Sequence, residues 1–219
     1  SYELVVKFEP ESDATFAVGP VLHDFLAERT DIPVPAILTF EPTPPENVPA
    51  YFITERVRGE NLDKLFHTLS VEQRGHIMEQ IGRILGDLHS TIAFEGYGRL
   101  DVEDDHIVVR DISEDWRAYF EQKLRSHIGM LAGTTFEDLQ EDARERIPNR
   151  LDTVPQQGVP RIVHDDFRPG NVLVEPGDRP EITALIDWEQ TLAGDPLYNV
   201  AEAEFLFIDS VVEDSSADH

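Results

Sequence analysis

Residues 161–187 constrain the fold of this chain more than any other stretch. Arg161-Ile162-Val163 leads into a polar octet, His164-Asp165-Asp166-Phe167-Arg168-Pro169-Gly170-Asn171, and Val172-Leu173-Val174 leads out of it. Glu175-Pro176-Gly177-Asp178 then punctuates the chain before a second apolar run, Ile182-Thr183-Ala184-Leu185-Ile186. Two short apolar runs around a Pro-Gly-Asp turn predict a β-hairpin. The loop ahead of that hairpin carries Asp166 and Asn171, and its second strand delivers Asp187 to the same rim.

A bare H-x-D-x-x-x-x-N spacing arises by chance in a chain this long on the order of 1% of the time, so the hairpin context gives the pattern its weight. An aspartate, an asparagine shortly after it and a second aspartate past a hairpin form the proton acceptor and metal donors of kinase-type phosphoryl transfer. With those residues in view, the segment from Val163 to Asn199 resembles the catalytic core of the aminoglycoside phosphotransferase family. Its members are relatives of protein kinases that phosphorylate small alcohols. The family's loop runs H-G-D-x-x-P-x-N, whereas here Asp165 stands where glycine is usual. That extra carboxylate is expected to be solvated, or else to tune Asp166 and contact a cationic substrate. Gly194-Asp195-Pro196 matches the family's next signature, with Asp195 expected to tie the following turn to the catalytic loop. Asn199 replaces a frequent aspartate in that turn.

The resemblance implies an α+β, protein-kinase-like fold with two lobes. Residues 1–57 would form an incomplete small N-terminal β lobe that binds nucleotide and ends in a hinge. Residues 58–219 would form a mainly helical lobe for catalysis and substrate. Leu4-Val5-Val6-Lys7-Phe8 is similar to the kinase strand whose lysine holds the α and β phosphates of ATP. Tyr51 to Val57, followed by Arg58-Gly59-Glu60-Asn61-Leu62, resembles the hinge, with backbone groups of Glu55, Arg56 and Val57 toward the adenine. On this reading Asn171 and Asp187 hold Mg²⁺ against the phosphates. Asp166 orients the substrate hydroxyl and accepts its proton. Arg168 contacts the transferring phosphoryl group or holds the loop by a salt bridge, and His164 orders the loop.

Two departures qualify the resemblance. Kinases pair the strand lysine with a glutamate on the next helix, and here that glutamate should fall near position 19. Gly19-Pro20 occupies the place, so Lys7 is expected to lack its usual partner unless Glu11 or another acid substitutes. The family's nucleotide-covering hairpin precedes the lysine strand and its C-terminal helices run on past Phe205-Leu206-Phe207. By that measure both ends are short, and truncation is the expected explanation.

The composition bounds the setting. With 44 Asp plus Glu against 18 Lys plus Arg the formal charge is −26, and only three of the cations are lysine. A chain that is 40% hydrophobic still has enough apolar surface for a core. An acidic, lysine-poor surface that stays hydrated in concentrated salt is the pattern of a cytosolic protein from a halophilic archaeon. Nucleic acid and anionic membranes are poor partners for such a surface. The absence of cysteine excludes disulfides and thiolate chemistry. No membrane span and no secretory pattern is visible, so a cytoplasmic location is expected. No histidine spacing points to zinc.

Periodicity places the remaining elements. Phe16, Val18, Val21, Leu22, Phe25 and Leu26 predict a helix started or kinked by Pro20 and stopped by Pro33 and Pro35. Ile37, Leu38 and Phe40 begin a strand. Ser70 with Gln73 is a capping box ahead of an apolar face of Ile77, Met78, Ile81, Ile84, Leu85 and Leu88. Beyond a Gly-rich loop at Gly96 and Gly98, the spacing from Trp116 to Leu131 predicts a second long helix. Its acidic flanks, Asp101 to Asp105 and Glu137 to Asp142, are candidate substrate surfaces, although charge runs are usually solvated faces. Three functions fit: an ATP-dependent phosphotransferase for an aminoglycoside or metabolite alcohol; a fructosamine, homoserine or choline-type kinase on the same fold; or a nucleotide-binding module without turnover.

Overall fold

The computed structural model describes residues 3–9, 15–45 and 47–215, with side chains as far as Phe207. The N-terminal sheet has the order β1-β3-β2, all antiparallel, from β1 (Leu4–Phe8), β2 (Ile37–Glu41) and β3 (Tyr51–Glu55). The register sets Lys7 opposite Phe52. β1 is an edge, with Leu4, Val5, Val6 and Phe8 exposed.

Helix α1 (Val18–Arg29) crosses from this sheet toward the rest of the molecule. Pro20 is accommodated in its first turn, where a missing N–H costs no helical bond. The helix ends before Pro33: Thr30 turns extended and its hydroxyl donates to the Leu26 carbonyl at 2.7 Å. The prolines follow the stop and do not cause it.

The remainder runs β4 (Glu60–Asn61), α2 (Leu62–Leu65), α3 (Val71–Thr91), β5 (Gly98–Glu103), β6 (His106–Val109), α4 (Trp116–Gly129), α5 (Leu139–Arg146) and α6 (Pro148–Leu151). β7 (Arg161–Val163), β8 (Val172–Glu175), β9 (Glu181–Leu185), β10 (Leu192–Gly194) and α7 (Pro196–Ser215) complete it. The expected hairpin is β8-β9, with Val172 opposite Leu185, and β4 extends it on the far side. The box at the start of α3 has both arms, Ser70 accepting from Gln73 N–H and Gln73 from Ser70 N–H. Met78, grouped above with the apolar face, is exposed, because the buried stripe follows Ile77, Ile81, Ile84, Leu85 and Leu88.

The Gly96–Gly98 stretch opens a hairpin that the reading as a loop did not anticipate. β5 and β6 pair around Asp104 and Asp105, both left-handed (φ 49° and 61°). Two consecutive left-handed residues are what a tight hairpin turn requires. The Asp101–Asp105 run therefore serves as strand end and turn. This hairpin continues through β10 to β7 in a sheet of order β6-β5-β10-β7.

The main core lies directly beneath residues 164–171. The α3 stripe packs with Leu62, Phe66, Ile162, Phe167, Val172, Leu185, Trp188 and, from α7, Ala203 and Phe207. Burying an aliphatic or Phe side chain contributes about 1.5–3 kcal/mol, so Phe167, 1% exposed, anchors the polar loop from its middle. Among the described residues no helix is long and apolar enough to cross a membrane.

Candidate active site

The loop after β7 is ordered by groups that cannot reach a substrate. His164 is fully buried, and its Nε2–H donates to the Ile186 carbonyl at 3.0 Å. Burial holds the imidazole pKa down at about 4, so the ring is neutral. It packs on Trp188 with ring centroids 4.4 Å apart. His164 thus fastens the loop to the segment bearing Asp187. Asn199, also fully buried, accepts from the His164 backbone N–H at 3.4 Å and donates to Glu202 Oε2 at 3.4 Å. An aspartate could accept but could not donate to a carboxylate, which accounts for the amide at this position. Asp195 caps α7 through Leu197 N–H at 2.8 Å, and among the described residues its side chain makes no hydrogen bond to the 164–171 loop, contrary to the expectation.

Asp166 and Asn171 face each other across the loop. Asn171 Nδ2 donates to the Asp166 carboxylate at 2.7 Å and to its carbonyl at 2.9 Å. That orientation leaves Asn171 Oδ1, a hard oxygen donor, pointing elsewhere. Arg168 Nε lies 3.2 Å from Asp166 Oδ1, so the arginine folds back on the carboxylate in a partly exposed salt bridge. Asn61 secures the far end, donating to the Gly170 carbonyl at 2.6 Å.

Asp187 reaches the same rim because Ile186 N–H donates to the Asn171 carbonyl at 3.1 Å. Its backbone is left-handed (φ 69°), a conformation aspartate tolerates better than most residues. Lys7, arriving from β1, donates to Asp187 Oδ1 at 2.6 Å and lies 2.7 Å from Glu189 Oε1. Burial pulls its ammonium pKa down, but the Glu189 charge and the bonds to both carboxylates outweigh this and leave it raised. Lys7 therefore lacks the usual helix glutamate, and other acids, Asp187 and Glu189, substitute for it. Glu11, the substitute considered, falls outside the described residues.

Lys7, Glu55, Arg56, Val57, Asp187 and Glu189 line one cavity of about 270 Å³ between the N-terminal sheet and the Asp187 loop. Two backbone donors of the expected hinge are spent inside the fold, Glu55 N–H on the Ala36 carbonyl (3.2 Å) and Arg56 N–H on that of Glu3 (3.0 Å). Val57 N–H finds no partner among the described residues. No cluster of three or more His, Asp or Glu side chains is arranged for a metal among the described residues. Asn171 and Asp187 together supply two hard oxygen donors, a set that suits Mg²⁺ only when phosphate oxygens and water complete its shell.

The model of the phosphotransferase enzyme family (APH) matches residues 3–208. The chain belongs to this family. It is a phosphotransferase of the small-molecule kinase kind, with a hydroxyl group as acceptor. No curated protein sequence matches it. Among solved structures, that of a thermostable mutant of aminoglycoside phosphotransferase APH(4)-Ia with AMP-PNP and hygromycin B is 20% identical at a TM-score of 0.66. The match covers 99% of this chain and 70% of that one. The apo form gives 19% and 0.67, covering 99% of this chain and 71% of that one. The GDP complex of aminoglycoside 2'-phosphotransferase-IIIa gives 15% and 0.65, covering 96% of this chain and 69% of that one. These likenesses establish the kinase-like α+β fold.

This phosphotransferase also carries a buried cluster that single residues could not disclose. Asp165 is not solvated: its side chain is 3% exposed, Lys123 of α4 donates to Oδ2 at 2.5 Å and Tyr198 to Oδ1 at 2.9 Å. Its φ of 61° explains why glycine suits the position in the family. Glu202 of α7 accepts from the Phe167 N–H at 3.4 Å. Burial, then the Asp165 charge, push its carboxyl up to about 7. Tyr198 is raised by burial and by Asp165. Residues 123, 189, 198 and 202 were missed because each owes its role to a partner distant in sequence. Only the departure from glycine at position 165 was a usable signal.

Proposed function

We propose that this chain transfers the γ-phosphoryl group of ATP to a hydroxyl of a small molecule. One observation carries the reading: contacts no longer than 3.1 Å run from Lys7 to Asp187, and through Ile186 and Asn171 to Asp166. Residues 1–57 serve as the nucleotide lobe with its hinge, and residues 58–219 as the catalytic and substrate lobe. Val57 N–H is the hinge donor left for the base, and Lys7 steadies the phosphates. Bound Mg²⁺, held by Asn171 Oδ1 and the Asp187 carboxylate, would neutralise phosphate charge. Asp166 orients the acceptor hydroxyl and takes its proton. Arg168, in its salt bridge with Asp166, must leave that carboxylate to meet the transferring group.

An aminoglycoside-type acceptor has the support of neighbours whose structures hold hygromycin B and kanamycin. A metabolite alcohol, including fructosamine, homoserine or choline-type acceptors, fits the same constellation. The silent-module reading loses its main argument, since Lys7 has carboxylate partners despite Gly19.

The test is calorimetric titration of Mg·ATP in molar KCl with Asp187→Ala as control, followed by turnover on a hydroxyl-substrate panel. Binding should weaken in Asp187→Ala. Asp166→Ala should keep nucleotide affinity and lose roughly 10²–10⁴-fold in rate. Undiminished turnover in Asp166→Ala would sink the assignment of the base.

A further inference from the structure

Protein kinases hold the phosphate-binding lysine with a glutamate on the next helix. In this chain α1 offers no acid at that place, and Gly19 stands in its first turn. A Cβ on Gly19 would lie 2.9 Å from Glu189 Oε1, 3.1 Å from its Cδ and 3.2 Å from its Cγ. The Glu189 side chain therefore runs through space that any larger residue at position 19 would need. It is 9% exposed, and its Oε1 stands 2.7 Å from Lys7 Nζ.

We infer that Glu189 is the positioning residue for Lys7, entering from the Asp187 loop to replace the absent helix glutamate, with Gly19 as the gap that admits it. The inference rests on the kinase reading of Lys7. Asp187 cannot do this alone. It is 40% exposed and is the proposed metal donor, so its carboxylate is asked to serve two cations. Glu189 is buried, and among the described residues Lys7 is its only ion-pair partner. The arrangement also moves the lysine's anchor from a helix, which can shift relative to the loop, onto the loop that carries the metal donor. Lys7 and Asp187 are then set by one short segment, Asp187-Trp188-Glu189, pinned at its centre by the fully buried Trp188.

A double-mutant cycle tests this through the Kd for Mg·AMP-PNP, which needs no turnover. Glu189→Gln should weaken binding about tenfold, the scale of losing one charge-assisted hydrogen bond. Lys7→Ala should cost at least as much, and the double variant no more than Lys7→Ala alone. Losses that multiply would show that Glu189 acts independently of Lys7 and would overturn the inference. Glu189→Ala combined with Gly19→Glu should recover part of the affinity lost in Glu189→Ala, because a helix carboxylate then has both the space and the lysine. A swap variant that melts like wild type yet binds no better than Glu189→Ala would also overturn it, which covers the case of a poorly folded Glu189→Gln. Absence of Mg·AMP-PNP binding by folded wild-type protein would instead fail the kinase reading itself, before any variant is compared.

Discussion

At the scale of single residues, this site spends buried charge on shape. Lys123 is 10% exposed and Asp165 3%, so removing either leaves an uncompensated charge in the interior. Asp165→Gly relieves the left-handed backbone but strands Lys123, and the second effect wins. Breaking a buried pair from one side costs about 3–5 kcal/mol. The expected result is a large fall in the unfolding midpoint, most of which Lys123→Met added to Asp165→Gly should restore. Glu202 brings a pH dependence of definite sign. Its carboxyl titrates at about 7 when folded against 4.5 in the unfolded chain. Between those values the folded state holds the extra proton, so its contribution to stability is full below 4.5 and is lost as pH rises through about 7. Glu202→Gln should melt higher than wild type at about pH 8, by roughly 2–4 °C per kcal/mol recovered in a chain of this size. A variant whose midpoint tracks wild type from about pH 5 to 8 would contradict the coupling to Asp165.

Among the elements, α3 shows how local rules and packing divide the work. Its capping box satisfies end N–H groups that the helix cannot pair itself, and Ser70→Ala should cost about 1 kcal/mol. Ile81, 2% exposed in the core beneath the catalytic loop, should cost about 2–5 kcal/mol as alanine. Denaturant titrations of both variants check the order, which reverses if the buried stripe is wrongly placed. The β5-β6 hairpin teaches a related lesson. Leu100 and Val102 alternate with Arg99, Asp101 and Glu103 before Asp104-Asp105, and the apolar run Ile107-Val108-Val109 follows it. That pattern signals a hairpin as clearly as the Pro-Gly-Asp turn does once aspartate is accepted as a left-handed turn residue. The Asp101–Asp105 acids then belong to the chemistry of a turn.

For the whole molecule, the charge of −26 is the dominant long-range force. Self-repulsion of so many carboxylates weakens the compact state, and the Debye length falls from about 10 Å at 0.1 M salt to about 3 Å at 1 M. The unfolding midpoint is expected to climb steeply over that range of KCl. Screening cannot strengthen the Lys123–Asp165 pair, so the gain should survive the Asp165→Gly/Lys123→Met substitutions. A salt-independent midpoint would remove the halophile reading.

Much of the site was legible because its logic is local. Turn residues between two short apolar runs specify the β8-β9 hairpin, and a hairpin places Asn171 and Asp187 on one rim whatever surrounds it. The proposed hinge and the proposed role of the lysine strand rest on resemblance alone, since backbone contacts leave no side-chain signature. What tertiary structure alone decided is the identity of partners. Whether Asp165 meets water or Lys123, and whether Lys7 is orphaned by Gly19 or held by Glu189, depends on where distant segments come to rest. A glycine in sequence looks like a missing acid; in the fold it is the gap through which an acid from residue 189 reaches the lysine. The physical reason is range: capping, turns and alternation act over a few residues, whereas charge pairing and excluded volume depend on distances in space that the order of residues does not state.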